Sequence, residues 1–575
     1  MMRKHVWLLG LLGLLFYRPA FAQDEIYSVN DVRDDRLERY LFTNATVVVD
    51  YQNTLQNASL LIEDGFIQAV GSNVSAPAGT RTIDLQGKYI YPSFIDLYSH
   101  YGLSELPESS GFNWNAPEKL GPQTEGPFSQ NDAIKSQYNA ADDFSLNDEQ
   151  AKTYRELGFG AVLTNKPDGI ARGSSALVSL TDVTANEALI MPQAAAHYSF
   201  AKGSSKQYYP ISKMGFIALL RQTYLNADWY QTEKNSEYVD QSLEAWIDLQ
   251  NLPQVFDAPG WIQILRADKL GDEFGKQYII RGSGNEYQRL AEVKATNAPL
   301  IVPINFPDAY DVDDPYDAEN VALADMMHWE RAPANLGMLA QEGISFVITA
   351  EGSTDSKVFL KNLRKAVQYG LPEDAALKAL THTPAQLVRA NGQLGSLQEG
   401  TIANFIITSD NIFNEDAQIY ENWIQGKAFI INEMDVSDLR GEYALAVGNE
   451  NYPLQISGKP GKLKFQIVPN DTTKIDVTSE VAKETITLAF TPDAEKNEQI
   501  RLSGWVEGQK LQGQGKLPNG EWVSWEANYQ SPLEETEEDS TDDKVVNPDD
   551  LVEIVYPFLP YGDQQRMPEA TAYLI

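Results

Sequence analysis

The sequence predicts an α/β protein: a (β/α)8 TIM-like barrel, a small β-sandwich built from both of its flanks, and a C-terminal antiparallel β domain. Three observations predict it. Between about residues 93 and 400, short apolar runs suited to buried parallel strands alternate with amphipathic helical stretches. On either side of that region lie short strand-like segments, and from about Gly441 to Tyr529 the apolar period changes to two. The chain is long enough for several domains, at 575 residues, and its 43% hydrophobic content supplies their cores.

Taken in order, residues 1–22 read as a secretory signal. Arg3 and Lys4 precede an apolar run from Val6 to Phe16, and Ala20-Phe21-Ala22 forms a small-x-small cleavage site. The run is too short to span a bilayer, and no later stretch is long and apolar enough, so the mature chain is expected in the periplasm or outside the cell without a membrane span. Removing the signal takes away Arg3, Lys4 and Arg18 and no acid, which moves the net charge from −36 to −39. Such a surface repels nucleic acid and anionic membrane. The absence of cysteine excludes disulfides, thiolate metal sites and a cysteine nucleophile.

After an N-terminal segment, 23–39, residues 40–92 give Ala45–Val49, Ser59–Ile62 and Phe66–Val70, the last two joined by the hairpin signal Asp64-Gly65. This stretch and 401–432 are the expected halves of the sandwich. Within 93–400, the barrel strands are expected at Leu157–Thr164, Trp261–Leu265, Tyr278–Arg281, Pro299–Pro303 and Ile344–Thr349. The clearest helix is Lys357–Tyr369, where Phe359, Leu363 and Val367 recur every four residues. Residues 433–530 form the antiparallel domain, with turns at Gly458–Gly461 and Pro518–Gly520. Its Trp505, Trp522 and Trp525 are read as core aromatics, the alternative being a face that stacks on a glycan or peptide. Residues 531–553 read as an acidic disordered linker, since Glu534–Asp550 holds nine acids against one lysine. Residues 554–575 end in Glu569–Ile575, which looks like the opening strand of another sandwich.

Tyr91-Pro-Ser-Phe-Ile-Asp-Leu-Tyr-Ser-His100 resembles the Pro-Gly-x-Ile-Asp-x-His-x-His signature of the amidohydrolase superfamily. The stretch running from Asn44-Ala-Thr through Asp64-Gly65 to Tyr91-Pro92 is similar to the small sandwich that precedes the barrel in imidazolonepropionase-related members. Thr381-His-Thr-Pro-Ala385, Gly395–Gly400 and Ile402–Ile407 look like the superfamily's closing pattern, so the resemblance spans about residues 40–430. It implies a metal site at the C-terminal ends of the barrel strands: two histidines on strand 1, a carboxylated lysine or a carboxylate on strand 4, one histidine on each of strands 5 and 6, and an Asp on strand 8.

Matched onto this sequence, strand 1 keeps His100 and carries Tyr98 in place of the first histidine. Gln263 and Leu265 stand where the strand 5 imidazole is wanted, Gly282 or a neighbour on strand 6, and Glu351 is the counterpart of the catalytic Asp. His100 and Glu351 are thus the vestiges of the site. His382 belongs to the closing turn, His328 to a helix-like stretch as a packing residue, and His197, the least placed, is within reach of the barrel mouth; nothing marks Lys166 or Lys202 as carboxylated. Zinc-type ligation needs about three protein groups in fixed geometry.

The resemblance therefore implies an exported protein with an eroded metal site and no expected cofactor, similar to the N-terminal half of long tandem amidohydrolase proteins. Its expected partner is a catalytic amidohydrolase unit, fused or separate. Two alternatives stand beside that expectation. One is a hydrolase of non-peptide carbon–nitrogen bonds using a single divalent metal such as zinc on His100, Glu351 and further ligands that the resemblance does not identify; the other is glycan or peptide binding through the C-terminal β domain.

Overall fold

The structure is a computed structural model that describes residues 39–106, 117–232, 238–311, 317, 320–353, 355–434, 439–459, 462–470, 473–482, 485–492 and 499–533. The signal, nearly all of the N-terminal segment, most of the acidic linker and the start of the possible second unit lie outside the described residues.

The first strands are β1 (Arg39–Asp50), β2 (Asn53–Glu63), β3 (Phe66–Gly71), β4 (Arg81–Asp84) and β5 (Tyr89–Pro92). They join β14 (Phe405–Thr408), β15 (Ile419–Ile424) and β16 (Lys427–Ile430), from beyond the barrel, in one sheet of order β16-β15-β14-β5-β1-β2-β3, with β4 on β1. The far edge closes onto the segment that leads into β14: Ile67 N–H donates to the Thr401 carbonyl (2.9 Å), and Ala403 N–H to that of Gly65 (2.8 Å). The sheet so folds over itself around Phe42, Leu60, Ile67, Phe405 and Trp423. Gly65 permits the closure, because its φ is +80° and a Cβ there would sit 2.9 Å from the Gln425 carbonyl oxygen.

The barrel strands are β6 (Phe94–Ser99), β7 (Phe159–Thr164), β8 (Ala171–Ser179), β9 (Leu189–Ser199), β10 (Gln254–Asp257), β11 (Tyr278–Arg281), β12 (Leu300–Pro303) and β13 (Phe346–Thr349), paired in that order. Alternate residues, among them Ile95, Ala161, Leu163, Leu177, Ala195, Val255, Ile279, Ile301 and Val347, fill the lumen. The opposite set packs outward on helices such as α1 (Asp148–Glu156), α2 (Lys213–Thr232), α3 (Gln241–Leu249), α4 (Trp261–Glu273) and α5 (Ser356–Gln368). Local chemistry sets their starts: Asn147, Asp240 and Asp355 each cap a helix by accepting a backbone N–H. On α5, Phe359 and Leu363 are fully buried, as their spacing predicts.

The barrel departs from the all-parallel expectation at one strand. β8 runs antiparallel to both β7 and β9. The connection from β7 is the six-residue stretch between Thr164 and Ala171, too short for a helical crossover, so the chain returns as a hairpin. Without a crossover helix, β8 is covered by an earlier segment, through bridges from Ile134 to Ala171 and Asn139 to Ser174.

Trp261–Leu265 is not a strand but the first part of α4, so Gln263 and Leu265 do not reach the barrel mouth. Pro259-Gly260 ends the preceding extended segment, and buried Ile264, Ala267, Leu270 and Gly271 then follow a helical period. The closing stretch Thr381–Leu387 is likewise helical from His382 onward.

Asn422 on β15 joins sheet to barrel. Fully buried, it accepts from Ser93 Oγ (2.8 Å) and donates to the carbonyls of Arg155 (3.1 Å) and Phe159 (2.8 Å). Asn422→Leu is expected to cost about 2–3 kcal/mol by leaving these groups unsatisfied, read as a lower urea midpoint with unchanged slope.

The C-terminal domain is a closed barrel of eight antiparallel strands: β17 (Gly441–Val447), β18 (Glu450–Lys459), β19 (Lys462–Asn470), β20 (Thr473–Ala482), β21 (Thr485–Phe490), β22 (Ile500–Glu507), β23 (Lys510–Lys516) and β24 (Trp522–Ser531). Leu454, Phe465, Leu488, Leu502 and Trp525 fill it. Of the three tryptophans assigned to this core, only Trp525 belongs there; Trp505 and Trp522 are 49% and 66% exposed.

Candidate functional site at the barrel mouth

The C-terminal ends of the parallel strands converge on one mouth, and the reversal of β8 brings its beginning to the same level. The register runs across from Ala171 to Tyr198, from Ser199 to Asp257, and from Asp257 to Arg281. His197, Asp257 and Arg281 therefore cap the lumen columns of Ala195, Val255 and Ile279, two residues below each of them. Arg172, one residue into β8, reaches the mouth only because that strand enters from it.

These residues form a continuous ion-pair chain. Arg172 Nη2 lies 3.0 Å from Asp257 Oδ2, while its Nη1 donates to the Tyr98 hydroxyl (3.1 Å) and its Nε to the Gly169 carbonyl (3.3 Å). Arg281 Nη1 reaches Asp257 Oδ1 at 3.5 Å, and its Nε and Nη2 hold Glu351 Oε2 at 2.8 and 2.5 Å. The same guanidinium lies over the Tyr98 ring, 5.4 Å from its centre. Burial opposes the Arg281 charge, but Glu351 and Asp257 outweigh it and raise its pKa. Burial pushes the Tyr98 phenol up, despite Arg172, and keeps it neutral.

His100 and Glu351 are both at this mouth, each already engaged. His100 Nδ1 lies 2.7 Å from the Asn165 carbonyl oxygen. Its surface is open to solvent, yet protein atoms crowd it closely enough that desolvation lowers its pKa. His197 is fully enclosed; burial, helped by the charges of Arg172 and His100, holds it neutral, and its Nε2 has no protein partner.

Gly282 follows β11, and a Cβ there would lie 2.0 Å from Glu286 Oε1. That buried carboxylate occupies the space, accepting from Ser283 and Gly284 N–H (2.8 and 3.2 Å) and Asn335 Nδ2 (2.7 Å). His382 packs at a tilt against the ring of Tyr51, in the turn between β1 and β2, and His328 lies 2.9 Å from the Tyr287 hydroxyl as a packing residue. Lys166 pairs with Asp143 (2.9 Å), and Lys202 donates to the Gln207 carbonyl (2.8 Å).

This donor set does not fit a divalent metal. Two carboxylates are matched by two guanidiniums within hydrogen-bond reach, so an added dication would meet no uncompensated charge and two like ones. Among the described residues, no three His, Cys, Asp or Glu side chains are grouped so as to hold a metal ion.

Sequence reading missed Arg172, Asp257 and Arg281 as site residues. Asp257 ends a strand of only four residues, and Arg281 was visible as a strand terminus. Arg172 carries no local signal, since its place depends on the reversal.

No protein-family model matches the chain. Short stretches are similar to curated proteins: 42% identity over 55 residues with a dihydroorotase of Sulfurihydrogenibium sp., covering 9% of this chain and 13% of that one; 42% over 45 residues with an imidazolonepropionase of Salinispora tropica, covering 8% and 12%; and 39% over 70 residues with the protein unc-33 of Caenorhabditis elegans, covering 12% and 8%. The matched stretches thus span about a tenth of these relatives' lengths. Among solved structures, an amidohydrolase from Thermotoga maritima superposes with a TM-score of 0.53 at 20% identity, over 68% of this chain and 100% of that one.

Proposed function

We propose that this chain, an amidohydrolase by fold, is a non-catalytic, exported module whose former metal site is neutralised by its own arginines, and that it supports a catalytic amidohydrolase unit, fused or separate. The observation that carries this reading is the Arg172–Asp257–Arg281–Glu351 chain at the mouth. It leaves Glu351 bound to a guanidinium rather than free to shuttle a proton, and two residues before His100 stands the phenol of Tyr98 rather than an imidazole. A carboxylate serves as a general base only when its lone pairs can reach a substrate proton. Here Glu351 Oε2 is held by both Nε and Nη2 of Arg281 and would first have to be released.

Metal analysis of the full chain, purified without chelators and offered zinc, manganese or iron, tests the reading. Substoichiometric metal, easily removed by gel filtration, is expected. One tightly held equivalent per chain, lost with His100→Ala, would instead support a hydrolase of non-peptide carbon–nitrogen bonds and overturn the non-catalytic assignment.

A further inference from the structure

We infer that the outer face of β22, β23 and β24 is a binding platform for a neutral polysaccharide chain. The register aligns four rows across these strands: Arg501, Lys516 and Trp522; Ser503, Gln514 and Ser524; Trp505, Gln512 and Glu526; Glu507, Lys510 and Asn528. Each of these residues alternates with an inward neighbour, so all twelve share the outward side. Two exposed tryptophans thus stand on the two outer strands, two rows apart, with the serine hydroxyls and the glutamine amide of the Ser503–Gln514–Ser524 row between them. Strand spacing and rise put the two Cα positions about 16 Å apart, which suits an oligosaccharide of a few rings. Indole faces pack on the C–H faces of pyranoses, while amides and hydroxyls both donate to and accept from sugar hydroxyls.

The wall beneath is firm. Trp525 is buried directly inside it and its indole N–H donates to the Ser503 carbonyl (3.0 Å). Inward-facing Gly504 and Gly515 leave room for this packing: a Cβ on Gly504 would lie 2.7 Å from the Trp525 ring, and one on Gly515 2.3 Å from Leu502.

Charge and topology choose among ligands. Glu526 is paired with Lys510 at 2.8 Å, and the two remaining cations of the patch, Arg501 and Lys516, are offset in number by one further acid, Glu507, so the patch is nearly balanced on a chain of net charge −36. Nucleic acid is repelled by the whole. An extended peptide has no strand edge to join, because the barrel is closed. Neutral sugars need neither charge nor an edge.

The test uses the full chain with cellohexaose, chitohexaose and xylohexaose as probes, by calorimetry and tryptophan fluorescence. Saturable binding to at least one is expected, weakened about tenfold or more by Trp505→Ala and by Trp522→Ala separately and lost in the double variant, with the melting temperature unchanged because both side chains are exposed. Binding that survives the double variant, or no binding to any probe at millimolar concentration, would overturn the inference. Neither result bears on the metal analysis above.

Discussion

Replacing Arg172 by methionine is expected to destabilise the barrel by about 3–5 kcal/mol, the cost of removing one partner from a buried ion pair. Its side chain is 4% exposed and that of Asp257 17%, so water replaces the lost contacts only in part, and Asp257 keeps Arg281 as its remaining cation at 3.5 Å. Three groups lose a donor together: the Asp257 carboxylate, the Tyr98 hydroxyl and the Gly169 carbonyl. Methionine matches most of the arginine stem, which separates the charge effect from that of a cavity. Urea denaturation supplies the measurement, and a loss below about 1 kcal/mol would show that the chain of charges is ornamental. The double variant Arg172→Met, Asp257→Asn should recover part of the loss, because the stranded charge is removed as well.

The second large effect is expected at Asp96. The barrel's first and last strands are not laddered through β13 and β6; this carboxylate bridges them. Asp96 Oδ1 accepts from Tyr98 N–H and Oδ2 from Ala350 N–H, both at 2.8 Å, and Thr349 Oγ1 reaches the Tyr98 carbonyl at 3.3 Å. Asp96→Ala strands two buried N–H groups and opens a void, for about 3–5 kcal/mol. Complete burial pushes its pKa up to about 7, against the lowering effect of those N–H donors. The folded state therefore holds this proton more tightly than the unfolded chain. Asp96's contribution is fullest below the ordinary aspartate pKa, falls as pH rises from about 4 to 7, and is flat above. Other carboxylates also repel one another as pH rises, so the measurement is a difference: the Asp96→Asn variant should show a shallower decline in stability between pH 5 and 7.5 than the parent chain. Equal slopes would refute the assignment.

What could be read in the sequence and what could not follows from the range of the signals. The sandwich hairpin, the apolar strands and α5 were legible because each is specified by neighbours within about ten residues, by an Asp-Gly turn or a period of 3.6. Trp261–Leu265 was misread because five apolar-rich residues show no period; the helical repeat appears only when Ala267, Leu270 and Gly271 are included. The direction of β8 is a consequence of a short connection that looks like any other loop. At the mouth, His100 and Glu351 were found from the resemblance, while the arginines that occupy their surroundings were not. No motif connects positions 172, 257 and 281, which meet only through the sheet register. Composition alone points Trp505 and Trp522 inward, because aromatic residues usually lie there; the inward–outward alternation of a closed barrel places them on the other side.

The hairpin between β7 and β8 also has a bearing on how this mouth could change by descent. Strand faces alternate with every residue, so a single-residue deletion between Thr164 and Ala171, if absorbed by sliding β8 one place, would turn Arg172 from the lumen to the outer wall and bring Gly173 in its place. Asp257 would lose its buried counter-charge without any substitution in the lumen. The electrostatic character of the site is thereby linked to the length of one surface loop, and insertions or deletions there deserve as much notice among descendants of this sequence as replacements of the charged residues themselves.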